Sequence, residues 1–466
     1  MALLLGIDFG TSYFKVGLFD ETGSLRGLGR IAVAKVSPLP GRCELPVDEF
    51  WRLLRAGLAE ALAQARAMPD EIAGVSYSSQ ANTFVLLDRS DEPISPLVIW
   101  SDRRAHPVDP AVLAFGDTVQ FQHAAGFAGL GPEFAAVKWR WFQTHDAVRW
   151  ARMARVMTLS EYFTFALTGE TAGDASTAAL TGLYATGEGA WWPAAMDFFR
   201  IPATALSRAL APGAPCGRTQ PRAKQLLGLP AGVPFAVGGL DHYVAAIGSG
   251  IGRLGEVSIS TGTVLAALEL VDRVEPVPRC YHGPHFEGRF YRLAFDPAGA
   301  GQLEEFQRQF APHLTLPQLS ALVATVPAAT ANAASFSDPD RRLGAMARAI
   351  MERISSTHRT LLARLRPSRS VARVIATGGG ARSLEWLQIN ADVLDATVVA
   401  PRCHERACLG AAAFAAVAAG IFPQISQALQ AMVHAEREVS PRPEAVMAYA
   451  QARAAAIQTG APPSAT

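Results

Sequence analysis

Apolar and polar residues alternate from the start of the chain. Ala2 to Leu5 is an apolar run. Gly6 to Asp20, GIDFGTSYFKVGLFD, then holds two alternating runs parted by Gly10-Thr11-Ser12, the pattern of a β-hairpin. Glu21, Thr22 and Gly23 make a second turn. From Val47 to Ala67 the spacing becomes helical, with Phe50, Leu53, Leu54, Leu58 and Leu62 on one face, and a short strand-like run follows from Ile72 to Ser76. Strand, hairpin, helix and strand in that order open an α/β domain. Further on, the spacing predicts a helix over Val156 to Leu167, weak periodicity over Ala175 to Leu183, and irregular Pro- and Gly-rich chain from Pro202 to Pro234.

From Val233 the pattern begins again. A short apolar strand reaches Gly238, the run GGLDHYVAAIGSG follows, and VSISTGTVLAAL from Val257 to Leu268 is a second pair of apolar runs parted by Thr261-Gly262-Thr263. A strand-turn-strand near residue 10 therefore recurs near residue 262, which predicts two structurally similar halves with a boundary near Pro234. A long helix is expected over Arg341 to Leu365, then a strand over Val371 to Ala376 and a Gly378-Gly379-Gly380 turn. A helix from Ser383 to Leu394, a strand over Thr397 to Ala400 and a small-residue helix after Arg406 complete the pattern, and the tail from Gln458 to Thr466 is expected to fray.

Size and charge narrow the function classes. A chain of 466 residues favours several domains over one, and 50% hydrophobic against 18% charged residues supplies ample material for packed cores. Forty-two Lys and Arg against 41 Asp and Glu leave a net charge of +1, no basic field for nucleic acid or anionic membrane. Five scattered cysteines, Cys43, Cys216, Cys280, Cys403 and Cys408, contain no CxxC, so buried reduced thiols in a cytoplasmic protein are expected. The run Ala2 to Leu5 is too short for a signal sequence, and Ala407 to Phe422 falls short of the ~20 residues needed to span a bilayer.

Candidate chemistry clusters at the turns. Asp8 ends an apolar strand just before Gly10, Thr11 and Ser12, a place where a carboxylate and exposed N–H and hydroxyl donors suit a hard cation and a phosphate together. Ser260-Thr261-Gly262-Thr263 offers similar donors without the acid. Either turn alone is an ordinary hairpin turn; two in matching positions suggest a shared task. The chain has no GxxxxGK[ST] and no GxGxxG between strand and helix, which argues against P-loop and Rossmann sites. Asp241 precedes an apolar helix and reads either as an N-cap or as a general base. His282 and His285 read as surface residues and Trp191-Trp192 as packing, while Gly248, Gly250 and Gly252 read as permitting close packing.

Together the motifs resemble the FGGY carbohydrate kinase family. They are GIDFGTS from Gly6, GGLDHYVAAIGSG from Gly238, SISTGT from Ser258, GGGARSLEWLQINADVL from Gly378, and Glu405, Ala407, Gly410, Ala411 and Ala412 in a Glu-x-Ala-x-x-Gly-Ala-Ala segment. Val137 to Phe142 is similar to the family's Lys-aromatic-x-Trp signature. The resemblance implies an α/β fold of two actin-like (ribonuclease-H-like) domains flanking a central cleft, with a sugar-binding domain over 1–234 and a nucleotide-binding domain over 235–466. It further implies that Asp8 helps hold Mg²⁺, that Thr11, Ser12, Thr261 and Gly262 contact the ATP phosphates, that Gly379, Gly380 and Ala381 lie against the nucleoside, and that Asp241 deprotonates the sugar.

Substrate choice follows from finer similarity. Ser79-Gln80-Ala81-Asn82 and Trp100-Ser101-Asp102 stand where xylulokinases usually carry Gly-Gln-Met-His and Trp-Asn-Asp, and His242 replaces the Asn that commonly follows the catalytic Asp. Gln80, Asn82, Asp102, Asp241 and His242 are therefore expected to bind the sugar, with D-xylulose, phosphorylated to D-xylulose 5-phosphate, the preferred substrate. A kinase for ribulose, fuculose or erythritol is the alternative, and an actin-like sensor that binds nucleotide or sugar without catalysis the more distant one. A DNA-binding regulator would need a helix-turn-helix for which Asp8 arrives too early. The expected partners are a small-molecule sugar and ATP, with neither nucleic acid nor membrane, and a second copy of the chain in a homodimer is the expected form of any assembly.

Overall fold

The computed structural model describes residues 2–262, 264–296, 299, 301–330, 333–366 and 371–459. Thr263 and the end of the tail, 460–466, lie outside them. The chain packs as two compact units. One comprises residues 1–252, 270–292 and 405–433, and the other 253–269, 293–404 and 434–466.

In the first unit the hairpin forms as its alternation requires, with Leu3–Phe9 antiparallel to Tyr13–Phe19 and the latter antiparallel to Leu25–Ala32. Leu3–Phe9 also runs parallel to Ile72–Ser79, so it is central in its sheet and every one of its residues is buried. The helix Val47–Ala65 covers one face, burying Phe50, Leu53, Leu54 and Leu58. The helix Arg406–Ala418, nearly all Ala, Gly and small apolar residues, packs on Leu3–Phe9 and Ile72–Ser79. It approaches so closely that a Cβ on Gly6 would collide with the Cys408 carbonyl oxygen. Its crossing with the helix Asp241–Ile247 depends on two more glycines: a Cβ on Gly248 would strike the Arg406 carbonyl, and one on Gly410 the Val244 carbonyl.

The second unit repeats the scheme. Val257–Thr261 is antiparallel to Leu265–Val271 and parallel to Arg373–Gly378, which pairs in turn with Thr397–Pro401. The helices Pro339–Leu365 and Leu384–Leu394 pack together against this sheet, the second capped by Ser383 Oγ on the Trp386 amide. Both units thus open on a hairpin whose first strand takes a parallel partner, and the fold is α/β with two actin-like domains.

One expected element is corrected. Helical spacing over Val156 to Leu167 gives way at its start to a strand, Arg155–Thr158, paired antiparallel with Phe84–Leu87; the helix begins only at Leu159. The break is local chemistry, a capping box in which Thr158 Oγ1 accepts the Glu161 amide while Glu161 Oε2 accepts the Thr158 amide at 2.6 Å. Among the described residues no helix is long and apolar enough to cross a membrane.

Candidate active site

Strand pairing builds the first cluster. Asp8 stands opposite Lys15 in the antiparallel pair and opposite Ser78 in the parallel one. Ser78 Oγ accordingly donates to Asp8 Oδ1 at 3.0 Å, and Lys15 Nζ lies 3.8 Å from Oδ2. On its other side Lys15 pairs at 2.9 Å with Glu405, the residue just before the helix Arg406–Ala418. Burial pushes the Asp8 carboxyl up to about 6; Lys15 opposes that shift, and the charges of Asp241 and Glu405 add to it. Lys15 is held above its ordinary value because Asp8 and Glu405 outweigh its own burial.

Beside Asp8 the Gly10-Thr11-Ser12 turn is tied to the neighbouring loops by a ring of hydrogen bonds. Trp100 Nε1 donates to Thr11 Oγ1 at 2.8 Å, and the Trp100 amide donates to Thr83 Oγ1 at 3.0 Å. Both hydroxyls donate to Gln80 Oε1, at 3.4 and 3.2 Å. Ser12 is exposed. Asn82 adopts φ 62°, a left-handed conformation that Asn tolerates, and its Oδ1 accepts the amide of Ala135 at the start of the helix Ala135–His145.

Asp102 is fully buried and its carboxylate is fully engaged. Cys43 N donates to it at 2.7 Å, and Arg104 donates through its amide, Nε and Nη2 at 2.9, 2.8 and 2.9 Å. Burial works against this charge, but Arg104 and the amides hold the carboxyl below the usual range. Arg104 reaches on to Glu44. Nearby, Lys138 is buried with its ammonium on the carbonyls of Trp100 and Glu133, at 2.9 and 2.7 Å, and burial lowers it to about 7.

Asp241 is the first residue of the helix Asp241–Ile247, whose N-cap is Leu240, and it is half-buried. Its Oδ1 accepts the His242 amide at 2.7 Å, and His242 is half-buried beside it. Asp241 and Asp8 therefore lie within electrostatic reach of one another in the same unit.

In the second unit Thr261 pairs with Gly378. Gly378 has φ 81°, and a Cβ there would collide with the Thr261 carbonyl; one on Gly380 would come within 2.7 Å of the Thr261 methyl. Gly379 between them is exposed, and a Cβ there would find only the Thr261 carbonyl, 3.9 Å away. Thr261 Oγ1 is buried without a partner among the described residues. Gly379 and Gly380 line a cavity of about 580 Å³ whose wall includes Leu303, Leu316, Pro317 and Trp386 with Ser320 and Arg382. A mostly apolar wall at the mouth of a glycine turn suits a flat heterocycle. Ala381 is buried behind it, Gly262 is half-buried, and Thr263 is outside the described residues.

The family model for the N-terminal domain of the FGGY family of carbohydrate kinases matches residues 3–248, and that for the C-terminal domain matches residues 282–419. The chain belongs to the FGGY family of carbohydrate kinases. It is a phosphotransferase, and kinases of this family use ATP as co-substrate. This FGGY kinase is 27% identical to the L-xylulose/3-keto-L-gulonate kinase of Escherichia coli (strain K12), over 94% of its own chain and 92% of the relative. It is 25% identical to the xylulose kinase of Lactococcus lactis, over 97% and 95%. Its fold matches the xylulose kinase of Rhodospirillum rubrum with a TM-score of 0.85 at 24% identity, over 98% of this chain and 99% of the other.

Two further expectations met different ends. His282 and His285 are buried and not on the surface. His282 Nδ1 lies 2.7 Å from the Gly126 carbonyl and its Nε2 accepts from Arg292, while His285 Nδ1 lies 2.7 Å from the Tyr243 hydroxyl. Both are core members that satisfy neighbours, and burial lowers them to about 4 and about 3. Trp191 and Trp192 do pack, the first donating to the Ser207 carbonyl and the second stacking on Phe115. Lys15 was missed as a site residue, although a lone lysine inside the buried strand YFKVGLF is itself a signal that a charge is needed there.

Proposed function

We propose that this FGGY kinase transfers the γ-phosphoryl group of ATP to the 5-hydroxyl of D-xylulose, giving D-xylulose 5-phosphate and ADP. The carrying observation is Asp241, a half-buried carboxylate at a helix start within electrostatic reach of the buried Asp8. Asp241 accepts the hydroxyl proton as the sugar oxygen attacks phosphorus; the new O–P bond forms, the bond to the β,γ-bridging oxygen breaks, and ADP leaves with that electron pair.

Asp8 is the proposed Mg²⁺ residue. A single carboxylate beside hydroxyl and amide donors would suit Mg²⁺, which proteins commonly hold through one or two carboxylates together with substrate phosphates. When bound, Mg²⁺ supplies charge neutralisation for the phosphates. Thr11, Ser12, Thr261 and Gly262 are the proposed phosphate contacts. Gly379, Gly380 and Ala381 with the adjoining cavity take the nucleoside. A cytoplasmic location fits this chemistry, since both substrates are cytoplasmic metabolites.

Gln80, Asn82 and His242 are the proposed sugar contacts. Asp102, expected as a sugar contact, is instead fully buried with both oxygens bonded to Cys43 and Arg104, so its proposed role is to hold the 41–44 and 100–104 segments together beside the site. Asp102→Asn is expected to raise the sugar KM about tenfold, by weakening the charge-assisted bonds from Arg104 and Cys43 that hold the 41–44 and 100–104 segments together, and to leave the ATP KM unchanged. Equal changes in both KM values would assign Asp102 to general stability. The substrate itself is tested by following ADP release with D-xylulose, L-xylulose, ribulose, fuculose and erythritol. D-xylulose is expected to give the highest kcat/KM, and a higher value for any of the others replaces it.

A further inference from the structure

Behind Asp241 lies a buried carboxylate with no part in the roles above. Asp174 is 1% exposed, ends the strand Ala172–Asp174 and caps the helix Ala175–Ala178. Its Oδ1 accepts the Thr177 amide and Ser176 Oγ, each at 2.7 Å; its Oδ2 accepts Thr177 Oγ1 at 2.8 Å and the Tyr77 hydroxyl at 3.1 Å. Four bonds to one buried anion fix it firmly. Capping the short helix uses only the first of them.

Ser176 passes this rigidity on. Its proton is committed to Asp174, so its oxygen is free to accept, and it accepts the amide of Leu240 at 2.9 Å. Leu240 is the residue immediately before Asp241. The same stretch is pinned from its other side, because Gly239 and Leu240 pair with Ser78 and Ser79, and a Cβ on Gly238 would collide with the Tyr77 carbonyl. Tyr77 therefore touches both the anion and the strand edge that precedes Asp241.

We propose that Asp174 and Ser176 are positioning residues for phosphoryl transfer, fixing through the Leu240 amide the backbone from which Asp241 reaches the sugar hydroxyl. The inference rests on the reading of Asp241 as the base. Such a base works only within roughly 2.6–3.2 Å of the proton it takes. A displacement of about 1 Å is enough to cost on the order of 10²-fold in rate, so a side chain that never meets substrate still controls turnover.

Ser176→Ala removes the Leu240 acceptor and one donor to Asp174 and keeps the other three bonds. It is expected to lower kcat about tenfold while both KM values stay within about twofold of the parent's, the split that misplacement of a catalytic group produces. In a double-mutant cycle with Asp241→Asn, Ser176→Ala should slow the enzyme no further, since no base remains to be positioned. Losses that multiply in the double variant, or turnover by folded Ser176→Ala within about twofold of the parent, overturn the inference. Ser176→Cys, close in size and a weaker acceptor, carries the same cycle should alanine not fold. Near-normal turnover by Asp241→Asn alone strikes the base assignment and takes this inference with it, whereas multiplying losses strike this inference only.

Discussion

Asp241→Asn is expected to yield a folded, ATP-binding protein whose kcat falls on the order of 10²-fold or more, equivalent to about 2.7 kcal/mol or more of lost transition-state stabilisation. The fold should survive because the hydrogen bond that the Asp241 side chain makes among the described residues, from the His242 amide to Oδ1, is available to an asparagine oxygen as well. The chemistry should not survive, because an amide cannot take the sugar proton as the oxygen attacks phosphorus. A capping role predicts the opposite. Leu240 is the N-cap of this helix and among the described residues no side chain caps it, so a substitution that kept the His242 bond would then be nearly silent in both melting temperature and rate. Turnover and melting temperature measured on one preparation separate the two; a folded Asp241→Asn protein with near-normal turnover would sink the mechanism.

What the sequence makes legible is whatever depends on neighbours in the chain. The hairpin around Gly10, the helix from Val47, the glycine turn at Gly378 and the helix behind Ser383 all follow from local periodicity and capping chemistry. Long-range pairing is not encoded in that way. Nothing near Asp8 says that Ser78 will stand beside it, because their meeting depends on the register of two parallel strands about 70 residues apart. Glu405 is recognisable as part of a motif, yet its pairing with Lys15 appears only once the chain has returned to the first unit.

Buried charge is the other blind spot. Asp102 reads in sequence as a sugar contact, and only packing shows Arg104 and the Cys43 amide closing over it. His282 and His285 mislead for the same reason, since a turn-rich segment looks solvent-exposed until Gly126 and Tyr243 are brought against it. The strand Arg155–Thr158 is lost because four apolar and polar residues directly before a true helix share its spacing, and its partner Phe84–Leu87 is remote in sequence.

Asp8→Asn is expected to weaken magnesium use while leaving the nucleoside interaction intact. The substitution keeps the size of the side chain and an oxygen to accept the Ser78 hydroxyl, but it removes the anionic ligand. Lys15 would then turn fully to Glu405, its partner at 2.9 Å, and the site would carry one negative charge fewer against the incoming cation. Since losing even an outer partner of a metal ligand typically costs about 10- to 100-fold in affinity, a loss of at least about 10-fold is expected on losing the ligand itself. Activity at limiting magnesium should fall in proportion, and raised magnesium should recover part of it, because the phosphates themselves still bring the ion to the site. A merely structural Asp8 predicts another pattern. Burial alone disfavours its charged form, having lifted its carboxyl to about 6, so a neutral asparagine would be as stable or more so at neutral pH, and the magnesium dependence would not move. The sign follows from proton uptake: between the ordinary carboxylate value and 6 the folded chain holds a proton at Asp8 that the unfolded chain has released, so this group favours folding less as pH rises. Rates measured across magnesium concentrations for the parent and Asp8→Asn, beside their melting temperatures, distinguish the two, and wild-type rates at limiting magnesium would remove Asp8 from the metal site.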